Sequence, residues 1–251
     1  MFKWLIAACC LFPYPFSVLG LRCLGIKISM SARIGLSIVI VEELKLGKKA
    51  KIGHLNFIRC ISLRLADNSK VLRSNVIHGP LKICMAENAA IGNNNKITKA
   101  YDGRSTPISI LRLGIWSKIT ANHRIDLTRS ITFGDYTTLA GIASQLWTHG
   151  YLHDSQGIGR YRVDGEIKLG DNIYIGTGAI VMSGVEVGNG VQVGAGAVVS
   201  KSLYGIDSMY VNQQLRKIDV AEIRNQRNDL ELDENISEER VYLKSLNNDS
   251  K

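Results

Sequence analysis

Between Leu169 and Lys201 the chain reads LGDNIYIGTGAIVMSGVEVGNGVQVGAGAVVSK, and every sixth residue is aliphatic: Leu169, Ile175, Val181, Val187, Val193 and Val199. The position two before each of the last five is also aliphatic or small, at Ile173, Ala179, Val185, Val191 and Ala197. Alternation of period two inside a period of six predicts short strands, each sending two side chains to one face. Glycine follows the aliphatic position at 170, 176, 188 and 194, where a tight turn has no room for a Cβ. Strand and turn repeated without a slip predict a parallel β-solenoid. Three hexads close one triangular coil of about 18 residues, and coils stack at ~4.8 Å.

The same period runs earlier in the chain. It starts at Ile28 and continues through Ile34, Ile40, Leu46, Ile52 and Ile58. After a slip of one residue it resumes at Leu65, Val71, Ile77 and Ile83, and after a slip of two at Ile91 and Ile97. Small slips bulge outward at turns and leave the inward face unchanged. The phase is lost from Thr98 to Arg112, which predicts a projecting loop at 98–112. It returns at Leu113, Ile119, Ile125, Phe133 and Leu139, and is lost again at 146–166. This second excursion, LWTHGYLHDSQGIGRYRVDGE, carries a Trp, two His and two Asp. Long loops on a rigid scaffold are where chemistry tends to sit.

The ends differ from the solenoid. Residues 1–25 are apolar, but the unbroken run from Trp4 to Phe12 is too short to span a bilayer, and Pro13 and Pro15 interrupt it. No small-x-small cleavage pattern precedes the repeats, which disfavours a secretory signal. A short helical cap is expected, packed on the first coil or lying on the inner membrane surface. Residues 204–251 are polar and mixed in charge, and are expected to be partly helical or disordered. The domain plan is therefore a cap at 1–25, a solenoid at 26–203 and an extension at 204–251.

The hexad pattern resembles the hexapeptide-repeat acyltransferases, and more narrowly the sugar O-acetyltransferases among them. The ending LRCLGIKIS of the cap resembles their lead-in helix. The resemblance implies an all-β fold, a left-handed parallel β-helix. It implies transfer of an acetyl group from acetyl-CoA, as co-substrate, to a sugar hydroxyl. The acceptor would be a sugar nucleotide or a lipid-linked or polysaccharide sugar of surface polysaccharide or lipopolysaccharide biosynthesis. It further implies a homotrimer with the donor along the late coils between subunits. The positions matching that donor groove are Thr177, Gly178, Ala195, Gly196, Ser200 and Lys201. Asn212 and the basic pair Arg216–Lys217 match the family's closing segment.

Acyl transfer to a hydroxyl needs a base, and histidine is suited because its unperturbed pKa of about 6.5 is close to neutral. Of His54, His78, His123, His149 and His153, the first choice is His149, where the excursion leaves the coil. The resemblance places the catalytic histidine in such an excursion, ahead of the turn that holds Thr177. His153, followed by Asp154, is the second. A carboxylate or carbonyl should hold the other ring nitrogen, and Asp164, Glu166, Asp126 and a backbone carbonyl remain open. Asn122 and Trp147 are expected to line the acceptor pocket, with His123 either beside them or a plain corner residue. Backbone N–H groups of Gly141–Ser144 are the expected oxyanion donors.

Composition narrows the alternatives. The net charge is +9. Residues 219–240 carry −5 and the last eleven +1, which leaves +13 on residues 1–218. That balance suits anionic ligands or an anionic membrane. The basic residues are scattered and no recognition motif accompanies them, so nucleic acid is not an expected partner. Five cysteines without ligand spacing point to reduced thiols and the cytoplasm, with a peripheral place at the inner membrane the variant. No metal is expected. The rival activities are a metal lyase like the γ-class carbonic anhydrases, built on His123, His149 and His153, and a non-catalytic solenoid scaffold.

Overall fold

The hexad residues become the interior of a three-faced prism. The computed structural model describes residues 2–99, 107–153, 155, 156, 159–212, 230–232 and 242–244. The architecture is a left-handed parallel β-helix. One face is a nine-stranded parallel sheet running from Arg33–Ile34 to Met209–Tyr210. The other two faces form one thirteen-stranded sheet, because the nine-residue strand Phe57–Leu65 turns the corner between them. Its first three residues pair with Val76–His78 and its last four with Leu81–Met85. In the late coils the register advances by one coil of eighteen residues: Ile175 pairs with Val193, Val181 with Val199, and Leu169 with Val187. All six are buried, as are Ile173, Ala179, Val185, Val191 and Ala197.

Three expectations shift. Val39 and Val41 pair with the inward Ile58 and Cys60, so Ile40 points the other way, while Ile28, Ile34, Leu46, Ile52 and Ile58 are buried as the period expects. The loop expected at 98–112 is shorter: Lys96–Thr98 and Ser109–Leu113 are both strands. Ser109, Leu111 and Leu113 are buried in alternation. Residues 100–106 lie outside the described residues. The second excursion is an antiparallel hairpin, His149–His153 against Arg160–Asp164.

The N-terminal segment forms two helices, α1 (Phe2–Cys10) and α2 (Phe16–Cys23). α1 buries Ile6, Ala7 and Cys10 and packs on the strand Ile38–Leu46. All five cysteines are free thiols. Burial pushes the Cys10 and Cys60 thiols up to about 12, which keeps them protonated and unreactive. Among the described residues no helix is long and apolar enough to cross a membrane. The chain divides into two units, residues 1–212 and 213–251. The described part of the second unit is a pair of antiparallel strands, Leu230–Leu232 with Tyr242–Lys244, rather than helix. Arg216 and Lys217 lie outside the described residues.

Stacked coils bring polar side chains together at one corner, where they form a ladder. The backbone N–H of Asn56 donates to Ser37 Oγ, Asn75 N–H to Asn56 Oδ1, Asn95 N–H to Asn75 Oδ1, His123 N–H to Asn95 Oδ1, and Ser144 N–H to His123 Nδ1. Each asparagine also donates Nδ2–H to a carbonyl of the turn above, at Leu72, Gly92 and Thr120. Buried polar groups are tolerated when they are satisfied in this way. His123 is therefore a corner residue. Its Nδ1 accepts, so Nε2 carries the proton and donates to Thr120 Oγ1 at 2.9 Å.

Burial lowers the pKa of His123 from 6.5 to about 4. The folded chain keeps this ring neutral where the unfolded chain protonates it. Its contribution to stability is complete above pH 6.5 and is lost as pH falls toward 4, by about 3 kcal/mol. Urea unfolding at pH 7 and pH 4.5 should show this loss in the wild type. His123→Asn, which can continue the ladder, should remove that part of the pH dependence.

Candidate active site

His149 stands where the chain leaves the corner of the prism to begin the hairpin. Alternation along 144–149 buries Ser144, Leu146 and Thr148 and turns Gln145, Trp147 and His149 outward. His149 Nδ1 lies 2.8 Å from Asp126 Oδ2. A carboxylate only accepts, so the Nδ1 proton points at Asp126 and Nε2 is left with a lone pair. The His149 side chain is 27% exposed and that of Asp126 10%.

Asp126 sits at the end of the strand Arg124–Asp126, one coil below His149. Thr148 donates to its carboxylate from both the backbone N–H (3.1 Å) and the hydroxyl (2.6 Å). Thr128 Oγ1 donates to the other oxygen at 3.0 Å and lies 3.1 Å from His149 Nδ1. The N–H of Arg129 in turn donates to Thr148 Oγ1. Four donors converge on one carboxylate, which is fixed on a coil strand, and His149 meets it from the first rung of the hairpin.

Of the orienters left open by the sequence, Asp126 is the one in place. Asp164 is taken up elsewhere: Arg162 donates to it at 2.6 Å and Arg129 at 3.0 Å. These arginines hold its carboxyl below the usual range, with Arg162 the larger influence. That ion pair ties the second hairpin strand to the coil. Thr128 and Thr148 were not expected in the site. Their signal was present as Asp-Leu-Thr and Trp-Thr-His, but nothing in the sequence says that those tripeptides stack.

The hairpin continues the outward row. Trp147, His149, Tyr151 and His153 lie in a line, with successive ring centroids 6.5, 5.9 and 6.4 Å apart. The Arg160 guanidinium covers the Tyr151 ring at 4.9 Å. Trp147 is thus beside His149, with its Nε1–H donated to Gln145 Oε1. His153 is on the same face but two positions further out and exposed. Asn122 is not in this group. It occupies the opposite end of the strand Arg124–Asp126, at the corner where Ala143 N–H donates to its carbonyl.

The same corner uses up the amides of Ile142, Ala143 and Ser144. Ile142 N–H donates to Thr177 Oγ1, Ala143 N–H to Asn122 O and Ser144 N–H to His123. Those groups bind the solenoid together and do not face His149, so they are not its oxyanion donors. The three histidines offered for a metal also diverge. His123 has both ring nitrogens bonded at the ladder corner, His149 faces Asp126, and His153 stands out on the hairpin. Among the described residues no group of three or more His, Cys, Asp or Glu is placed to hold a metal ion.

The proposed donor positions fall in two columns. Thr177 and Gly178 stack below Ala195 and Gly196, with Gly196 N–H donating to Thr177 O. The Thr177 hydroxyl is spent on the turn, donating to Ile142 O at 2.8 Å. Gly178 adopts a φ of +68°, and a Cβ there would meet nothing closer than the Gly196 backbone at 4.0 Å. Ser200 belongs to the other column. Trp147 N–H donates to Val181 O and Met182 N–H to Val199 O, so Trp147, Met182 and Ser200 stack at the His149 corner. Two rungs, about 10 Å, separate Trp147 from Ser200, and Lys201 follows, exposed. Asn212 closes the first column by donating to Gly196 O.

The family model described as Bacterial transferase hexapeptide (six repeats) matches residues 166–201. Those residues are hexapeptide repeats of the bacterial transferase type. No curated protein matches the chain. Among solved structures it is similar to the polysialic acid O-acetyltransferase OatWY, at 14% identity and TM-score 0.49 over 80% of this chain and 91% of that one. It is similar to the polySia specific acetyltransferase NeuO, at 18% identity and TM-score 0.44 over 71% and 73%. It is also similar to a maltose O-acetyltransferase from Clostridium difficile 630, at 17% identity and TM-score 0.29 over 87% and 84%.

Proposed function

We propose that the chain is an acyltransferase that moves an acetyl group from acetyl-CoA to a sugar hydroxyl, with His149 as general base. The observation that carries this is the Asp126–His149 pair, whose Nδ1–H is held so that Nε2 is the basic atom. Acetyl-CoA supplies an activated thioester. His149 Nε2 takes the proton of the sugar hydroxyl as its oxygen bonds to the thioester carbonyl carbon. The same nitrogen returns that proton to the departing sulfur as the C–S bond breaks. Asp126 keeps the ring in the productive tautomer and offsets the charge of the transient imidazolium. The aromatic row beside it offers Trp147 as a flat surface for a sugar ring.

Gly178, Ala195 and Gly196 expose backbone along which a pantetheine chain could lie, and Lys201 could meet a phosphate. Thr177 supports that groove through its turn. The reading includes a homotrimer with the donor between neighbouring subunits, and a place in surface polysaccharide or lipopolysaccharide biosynthesis. Calorimetry with acetyl-CoA is the first test. Micromolar binding, about −8 kcal/mol, weakened about tenfold by Lys201→Ala, is the expected result. Absence of binding by the wild type would sink the transferase reading.

A further inference from the structure

The two-helix cap is apolar on both sides. α1 buries Ile6, Ala7 and Cys10 against the solenoid, yet Trp4 and Leu5 on its outer side and Phe2 at its first turn are about half exposed. α2 buries Ser17, Val18 and Leu21 and leaves Phe16 and Leu19 outside, Phe16 at 64%. The connection between the helices adds Leu11, Phe12 and Tyr14, each about half exposed. At 150–250 Å² for each large aromatic side chain, this amounts to roughly 800 Å² of apolar surface. That exceeds what a monomeric soluble protein usually leaves open. A surface helix normally turns a polar face outward, and this cap does not.

The charge around it is mostly basic, although Glu42 and Glu43 line a groove beside Phe2 and Ile6, together with Lys27 and Lys45. No residue before Glu42 is acidic, and Lys3, Arg22, Lys27 and Arg33 are basic. Under the connection lies a cleft walled on one side by Leu11 to Tyr14 and on the other by Arg33, Lys51 and His54. The Arg33 guanidinium is 5.9 Å from the Tyr14 ring centroid. Aromatic side chains with basic neighbours are the composition of segments that lie at the boundary between lipid headgroups and acyl chains.

We propose that the cap docks on a membrane leaflet containing anionic phospholipid. The exposed side chains of α1, α2 and their connection enter the acyl boundary, and Arg33 and Lys51 meet lipid phosphates at the cleft. A second copy is a poorer occupant. An isologous contact would set Lys3, Arg22 and Arg33 against the same residues of the other copy.

The test is sedimentation of the full chain with vesicles, either pure phosphatidylcholine or phosphatidylcholine with about a third phosphatidylglycerol. Binding at least tenfold stronger to the anionic vesicles, and weakened by 0.5 M salt, is expected. The double variant Trp4→Glu, Phe16→Glu should lose at least tenfold in vesicle binding while keeping the oligomeric mass and acetyl-CoA affinity of the wild type. Wild-type protein that ignores anionic vesicles, or a double variant that still binds them, overturns the proposal. A double variant whose assembly mass falls would show that another copy covers the cap, and overturns it as well. None of these readouts depends on acyl transfer, so the proposal can fail while the transferase reading stands.

Discussion

His149→Ala is expected to lower kcat for acetyl transfer by 10²–10⁴-fold, the range for loss of a positioned general base, with the affinity for acetyl-CoA unchanged. Asp126→Asn should cost less, about 10–100-fold, because the ring remains but its tautomer is no longer dictated. Asp126 acts through His149, so the two effects should not add. The double variant should be no slower than His149→Ala alone. A merely structural Asp126 would instead give additive losses, together with a fall in donor affinity or in melting temperature. Steady-state rates on a sugar panel, with calorimetric donor binding for each variant, separate these cases. His153→Ala should keep most of the rate, since His153 lies two positions beyond His149 and is exposed. A His153 variant as inactive as the His149 variant would reverse the assignment of the base.

Asn75→Ala is expected to destabilise the fold by about 3 kcal/mol or more. The side chain is fully buried and holds three partners: Asn56 Oδ1, Gly92 O and the N–H of Asn95. Truncation leaves Gly92 O and the N–H of Asn95 without that partner in a place water cannot easily reach, and each such group costs about 1–3 kcal/mol, while Asn56 Oδ1 keeps the backbone N–H of residue 75. The midpoint of urea unfolding should fall while its slope stays constant, as for a change in stability without a change in exposed area. The exposed Asn122, which stands one residue before the ladder position of its coil, is the control. Asn122→Gly keeps the positive φ of 56° accessible and should shift the midpoint little.

The solenoid was legible because its signal is local and repeated. Leu169 to Val199 keep one phase, and each of those side chains is buried. The phase erred at Ile40 because two adjacent aliphatic residues, Val39 and Ile40, satisfy the hexad equally well. The strand at Ser109–Leu113 and the hairpin at 149–164 were hidden because strand pairing between distant segments leaves no period in either one. The site was legible in part for the same reason. His149 stood out by type and by its place at a break in the pattern. Its partner Asp126 lies 23 residues earlier, and only the stacking of coils selects it over Asp164 and Glu166. Asn122 has a suitable side chain, but a corner of the prism separates it from His149. The fate of the Ile142, Ala143 and Ser144 amides was likewise invisible, because they are consumed by Thr177, Asn122 and His123, none of which is a sequence neighbour.

The hairpin has a consequence for how such a chain can change. Thr138 pairs with Tyr174 as Tyr174 pairs with Gln192, so the coils close around the excursion and the stack does not register its length. Asp126 belongs to the coils and His149 opens the hairpin as its first rung, paired with Asp164, while Tyr151, His153 and Arg160 lie beyond that rung. With the rung kept, exchange or shortening of residues 150–163 as a cassette should leave the Asp126–His149 contact in place. New acceptors become reachable by splicing alone, and a library of grafted hairpins on this one prism would sample them.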